Sequence, residues 1–245
     1  MAPGTDGAPC ATPPLPNIAP FVRLRASQHT IKNKYIVEFI GTFFLVLTIG
    51  CNVLGGNALA PIAIGTVLAV MIFAGGHISG GHFNPAVTLA VTVRGKCTVQ
   101  DAIPYVIAQI GGAVVAAFTA KFLYAAAAAK AIEAATKAAP IAVGPAFVAE
   151  LLFTFALAWT VLNVATSKDT ANNSFYGWAI GSIVVVGAFS VGSISGGAFN
   201  PAVAIGAALM SLISWSNIWI HLVADFLGGL LAAIAFKSLS AADRE

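Results

Sequence analysis

Two asparagines, Asn84 and Asn200, occupy the same place in two copies of one sequence. The stretch Gly76-His77-Ile78-Ser79-Gly80-Gly81-His82-Phe83-Asn84-Pro85-Ala86-Val87 returns as Gly192-Ser193-Ile194-Ser195-Gly196-Gly197-Ala198-Phe199-Asn200-Pro201-Ala202-Val203, an offset of 116, with differences only at His77/Ser193 and His82/Ala198. Asn is a favoured N-cap and Pro a favoured first helical residue, so each Asn-Pro starts a helix. The Ser-Gly-Gly stretches ahead of them supply extended, close-packing backbone. The carbonyls of Gly80, Gly81 and His82, and of Gly196, Gly197 and Ala198, are then free to form a line of acceptors. If the two helix starts meet, each brings about half an elementary charge of positive dipole to one point, which repels cations. Each Asn accepts from its own helix backbone and turns its amide N–H into the space between. A water that accepts from both Asn84 and Asn200 has no lone pair left for its neighbour. Water then moves while a proton wire is broken. A single Asn-Pro-Ala is a chance match; two inside a near-identical twelve-residue repeat are not.

The elements that must hold these two sites are membrane spans. Of 245 residues, 58% are hydrophobic and 9% charged, against roughly 25% charged in soluble domains. No Asp, Glu, Lys or Arg occurs from Phe39 to Val93, Ala102 to Ala120, Leu151 to Ser167 or Thr170 to Ala224. A span needs about 20 mostly apolar residues, and the pattern places six: Lys34–Gly50, Ala58–Gly75, Gln100–Tyr124, Pro145–Val164, Ser174–Phe189 and Ser216–Leu239. An Ala-rich connection with Lys130, Glu133 and Lys137 separates the third from the fourth. The segments after Asn84 and Asn200 are too short to cross and read as half-helices. Each half of the chain therefore holds three spans and one half-helix. Three is odd, so the second half is inverted, with the functional site near the midplane. The expected organisation is a disordered cytoplasmic tail over residues 1–33, a channel domain over 34–240 (repeats 34–124 and 145–240) and a C-terminal tail over 241–245. With the termini cytoplasmic, nine basic residues lie on that side (Arg23, Arg25, Lys32, Lys34, Arg94, Lys96, Lys168, Lys237 and Arg244) and three on the other, as the positive-inside rule requires.

From Glu38 to Gly229 the chain resembles the aquaporin, or major intrinsic protein, family, on the strength of the two Asn-Pro-Ala motifs and the inverted halves. The resemblance implies an all-α membrane protein of six transmembrane helices plus two re-entrant half-helices. It implies a homotetramer with one pore per subunit, in a plasma membrane or a vacuole-like organelle membrane, passing water passively. The pore motif residues would be Asn84, Pro85, Ala86, Asn200, Pro201 and Ala202. The family's two span carboxylates, here Glu38 and Glu150, would brace the re-entrant loops, as would His77 and His82. The family's narrow filter would fall on Ile64, Ala188, Gly197 and Val203. In most members Val203 is an arginine, and this departure makes the filter wider and less polar. The pattern is similar to the tonoplast-intrinsic branch, which implies passage of ammonia, urea and hydrogen peroxide, and extends to glycerol.

Asp225 is a second departure, since the family usually has proline there. His221 shares its helix face, and the two read as a buried hydrogen-bonded pair mirroring Tyr105 and Gln109 at the same offset, or as a pH-sensitive pair. Other classes fit less well. A coupled transporter also uses inverted repeats, but it needs ion-coupling carboxylates beside the midplane, and none adjoins Asn84 or Asn200. A structural or junctional membrane protein needs no pore. An enzyme needs a nucleophile–base pair or a phosphate loop. Cys10, Cys51 and Cys97 form no metal-ligand spacing, and a net charge of +3 does not suggest nucleic acid. No cofactor and no metal are expected; the partners are water, small neutral solutes, the lipid bilayer and other copies of the chain.

Overall fold

The computed structural model describes residues 31–137, 141–240 and Asp243, and among them every regular element is helical. Among the described residues nine α-helices run in order: α1 Ile31–Leu54, α2 Ala60–Ser79, α3 Pro85–Val93, α4 Val99–Leu123, α5 Ala125–Lys137, α6 Val143–Val161, α7 Tyr176–Ser195, α8 Pro201–Leu209 and α9 Ile218–Leu239. Six of them (α1, α2, α4, α6, α7 and α9) are long and apolar enough to cross a membrane. The expected tail over residues 1–33 lies outside the described residues as far as residue 30; Ile31 to Asn33 already belong to α1.

α2 runs on past Gly75 to Ser79, and α7 past Phe189 to Ser195. Glycine inside an apolar helix does not end it. The helices stop where Gly80 and Gly196 enter the left-handed region at φ 91° and 95°, a conformation that costs glycine nothing. The Ala-rich connection forms α5, as the high helix propensity of Ala favours, with Lys130 and Glu133 exposed. α6 gives way to a π-helical turn over Leu162–Thr166.

Lipid offers helices no hydrophobic reason to associate, so small residues that let backbones approach do the work. A Cβ on Gly112 would lie 2.4 Å from the Phe39 carbonyl oxygen, locking α4 on α1; one on Gly228 would lie 2.7 Å from that of Leu151, locking α9 on α6. At the crossing of α2 and α7, Cβ atoms on Gly65 and Gly181 would meet each other's carbonyl oxygens at 2.4 and 2.3 Å. Ala113, Ala116, Ala117 and Ala120 are buried along α4.

α3 and α8 have nine residues each. At 1.5 Å per residue that is about 14 Å, half of a hydrocarbon core of about 30 Å. Each ends at a lysine from a long helix: Lys237 Nζ donates to Val93 O at 3.5 Å, and Lys121 Nζ to Leu209 O at 3.3 Å. A cation at the negative end of a helix dipole is favourable, and the two pairs repeat the offset of 116.

Candidate pore and filter

Between α2 and α3, and again between α7 and α8, the backbone turns back on itself in the same way. Gly80, Gly81 and Phe83 have φ of 91°, 64° and 48°, and Gly196, Gly197 and Phe199 have 95°, 65° and 49°. For a phenylalanine this region costs roughly 1–2 kcal/mol. Two features hold it. Both rings are wholly buried, Phe83 on Gly41 and Phe199 on Gly187, where an added Cβ would come within 2.1 and 2.7 Å of the ring.

The second feature is a carboxylate under each loop. Glu38 Oε1 accepts from Ser79 Oγ at 2.7 Å and His82 N at 3.0 Å; Oε2 accepts from Phe83 N at 2.7 Å and Gln109 Nε2 at 2.8 Å. Glu150 Oε1 accepts from Ser195 Oγ at 2.5 Å and Ala198 N at 3.0 Å, and Oε2 from Phe199 N at 2.7 Å. Both carboxylates are buried, and buried polar groups are tolerated when their lone pairs are filled in this manner. Tyr105 Oη donates to Ser79 O at 2.7 Å, and His221 Nε2 sits 2.8 Å from Ser195 O.

Asn84 accepts from Ala86 N at 2.8 Å and Val87 N at 3.3 Å; Asn200 accepts from Ala202 N at 2.9 Å and Val203 N at 3.4 Å. Both are helix N-caps, as expected. Their amide groups also cross over: Asn84 Nδ2 donates to Phe199 O and Asn200 Nδ2 to Phe83 O, each at 2.9 Å. The two loops are thereby tied to each other, and the starts of α3 and α8 meet. This corrects one expectation. An amide carries two hydrogens, and one from each Asn joins the loops instead of turning into the space between them.

A cavity of about 370 Å³ reaches from Pro61 at the start of α2 to both asparagines. Ile64, Ala188, Gly197 and Val203 all line it, as do Gly81, His82, Gly196 and Ala198. Its other walls are side chains of α1, α2, α6 and α7, among them Leu45, Leu157 and Ile180. Beyond the asparagines, a second cavity is lined by Ser79, Gly80, His82, Val91 and Lys96. His82 and Val161 border both. His82 Nδ1 lies 3.2 Å from Thr88 Oγ1.

His77 is placed differently from expectation. It lies in the last turn of α2, not in the re-entrant loop. Bracing by side chains described above falls to Glu38, Ser79, His82, Tyr105 and Gln109 in the first half. His221 and Asp225 do not bond each other; His221 reaches Ser195 O in the second loop, and Asp225 accepts from Thr154 Oγ1. Ser79 and Ser195 were not singled out from the sequence as braces. Their signal was present, since they survive in both copies of the repeat beside a glycine pair that needs anchoring. No group of three or more His, Cys, Asp or Glu is placed to hold a metal among the described residues.

The family model described as major intrinsic protein matches residues 25–236. A glycerol uptake facilitator protein-like 6 from Lactiplantibacillus plantarum is 38% identical over 215 residues, covering 86% of this chain and 99% of that protein. A probable TIP-type aquaporin of Medicago truncatula is 32% identical, covering 92% and 94% of the two chains. Among solved structures, the aquaglyceroporin from Plasmodium falciparum matches with a TM-score of 0.73 at 22% identity, covering 86% of this chain and 98% of that one; at that identity the likeness speaks for the fold.

Proposed function

The chain belongs to the major intrinsic protein family, and from this we propose that it is a passive channel, embedded in a membrane by six helices, for water and small neutral solutes. The observation that carries the reading is the meeting of two helix N-termini, tied by Asn84 and Asn200, at the floor of a cavity walled by apolar side chains. Two dipole ends at one point exclude cations, and spare amide hydrogens orient a neutral guest. A TIP-type aquaporin and a glycerol facilitator-like protein among the relatives support a range that extends past water.

The filter reading deepens this. Ile64, Ala188, Gly197 and Val203 offer no side-chain charge or hydrogen-bond donor, so selection there rests on size and on the backbone. Ammonia, urea and hydrogen peroxide fit such a filter, and glycerol stands at its upper edge. Basic residues support cytoplasmic termini: Arg94, Lys96, Lys168 and Lys237 all stand at one end of the spans, the end where α1 begins. A homotetramer remains part of the proposal on family grounds.

Stopped-flow light scattering on proteoliposomes tests the reading. An osmotic step in sucrose should give fast shrinkage, and the same step in urea fast shrinkage followed by re-swelling. Shrinkage without re-swelling would confine the pore to water and refute the wide filter. Shrinkage no faster than that of empty vesicles, from folded protein, would refute the channel.

A further inference from the structure

The two loop braces are related by the internal repeat, yet three members differ (His82/Ala198, Tyr105/His221 and Gln109/Asp225), and the last exchanges a fixed donor. In the first half, Gln109 Nε2 donates to Glu38 Oε2 at 2.8 Å and to Thr88 Oγ1 at 2.9 Å. In the second half the residue 116 further on is Asp225, and Ala204 replaces Thr88. A fixed donor has been exchanged for a group that donates only when it carries a proton. Asp225 and Glu150 are both wholly buried, and the repeat sets Asp225 at the place from which Gln109 reaches Glu38. Two carboxyl groups cannot hydrogen-bond without a proton between them.

The remaining contacts say where that proton sits. Thr154 Oγ1 donates to Asp225 Oδ1 at 2.8 Å, so Oδ1 is an acceptor. Its counterpart Thr42 instead donates to the Glu38 backbone oxygen, so the turn of Thr154 toward Asp225 is particular to this half. Asp225 Oδ2 has no hydrogen-bond donor in reach. A buried carboxyl oxygen with nothing to accept from is placed to donate when it carries the proton. Glu150 already accepts three hydrogen bonds, two of them from loop backbone, and is the acceptor of the pair. The other titratable group facing this pair is His221, from α9 itself. His221 Nε2 lies 3.7 Å from Glu150 Oε1, but its hydrogen is directed to Ser195 O at 2.8 Å. His221 Nδ1 faces only the Asn217 carbonyl, at 3.4 Å.

We propose that Asp225 is a carboxylic acid in the folded channel and that its hydroxyl is the fourth donor holding Glu150 under the second re-entrant loop. It is a positioning residue. Its proton fixes Glu150, Glu150 fixes Ala198 N and Phe199 N, and those amides set Gly197 and Asn200 in the cavity wall. The link to transport rests on the channel reading above; the protonation itself does not.

Two measurements test it. Infrared difference spectra of wild type against Asp225→Asn, taken near neutral pH on purified protein, should show a carboxylic-acid C=O band in the wild type that shifts in heavy water and is absent from the variant. Asn is also a fixed donor of nearly the same shape, so Asp225→Asn should keep water permeability within about twofold of wild type, while Asp225→Leu, which leaves Glu150 a donor short, should lose about tenfold or more. A wild-type spectrum without that band overturns the proposal, whatever the transport result, because Asp225 is then ionised. Asp225→Asn as impermeable as Asp225→Leu overturns the positioning role even if the band is found. If Asp225→Leu does not fold, the spectrum and the Asn variant still decide.

Discussion

A carboxylate inside a span is costly unless donors surround it, and Glu38 is surrounded by four: Ser79 Oγ, His82 N, Phe83 N and Gln109 Nε2. Glu38→Gln keeps the volume but puts an amide donor where an acceptor is needed. One donor must then face another, and a buried unsatisfied group costs about 1–3 kcal/mol. The variant should unfold at lower temperature in detergent, followed by tryptophan fluorescence, and its water permeability should fall because the Phe83 turn is released. An unchanged unfolding temperature would mean that the brace carries no load. At the proposed filter, Val203 lines the cavity at the start of α8. Val203→Arg would bring a cation and donors into a space walled by Ile64 and Gly197. Urea flux should drop by about tenfold or more, while water falls less, since a missing or added hydrogen-bonding group discriminates more strongly than a methylene does. Equal loss of both fluxes would point to simple plugging. Much of this scale was legible in the sequence, because the repeat marks Asn84, Asn200 and their neighbours twice. The crossed bonds from Asn84 to Phe199 and from Asn200 to Phe83 were not. They depend on two loops 116 residues apart meeting in register, and a phenylalanine gives no sequence signal for a left-handed backbone.

Neighbouring glycines separate packing from propensity at the scale of the element. Gly111 and Gly112 are adjacent in α4. A Cβ on Gly112 would lie 2.4 Å from the Phe39 carbonyl oxygen, whereas one on Gly111 would meet nothing nearer than the Phe39 ring at 3.6 Å, an ordinary contact. Replacing a helical glycine by alanine otherwise stabilises by roughly 0.5–1 kcal/mol. Gly111→Ala should therefore raise the unfolding temperature slightly. Gly112→Ala must push α4 off α1 and should lower it by several degrees, with a loss of water permeability. If the two variants behave alike, the α1–α4 crossing is not set by backbone contact. The spans were legible because charges vanish from them, and the first half-helix because Arg94 and Lys96 follow so soon after Asn84. Their ends were less so. Apolar runs continue through Gly75 and Gly192 without a break in pattern, and only the φ of Gly80 and Gly196 decides where α2 and α7 stop. α5 lies in the Ala-rich connection, whose charges set no length for a helix.

Over the whole molecule the two inverted halves are closed on one face by a residue that belongs to neither. Asp243, beyond α9, accepts from Arg94 Nη2 at 2.7 Å and from Ser167 Oγ at 2.7 Å, with the Lys168 backbone N–H at 3.3 Å. Arg94 caps the end of α3 and also lies over the Phe236 ring at 5.0 Å. One carboxylate thus joins the first half-helix, the turn between α6 and α7, and the C-terminal end, where the sequence suggested only a tail at 241–245. Nothing in the residue order marks such a contact; it exists because the fold brings Arg94 and Ser167 to one face. The Ser167 hydroxyl, then the Lys168 amide and the Arg94 guanidinium, hold this carboxyl below its ordinary 3.8. A folded-state value below the unfolded one means that the contribution is fully present above 3.8 and is lost as pH falls through the lower, folded value. The turn should then exchange its backbone hydrogens faster. Hydrogen exchange read by mass spectrometry should show residues 167–170 protected at neutral pH and released well below the ordinary carboxylate range. In Asp243→Ala they should exchange at the fast rate throughout. Equal protection of wild type and variant at neutral pH would show that the turn is held by its own bonds, such as Asn173 Nδ2 to Val164 O at 2.6 Å, and that Asp243 only rests against it.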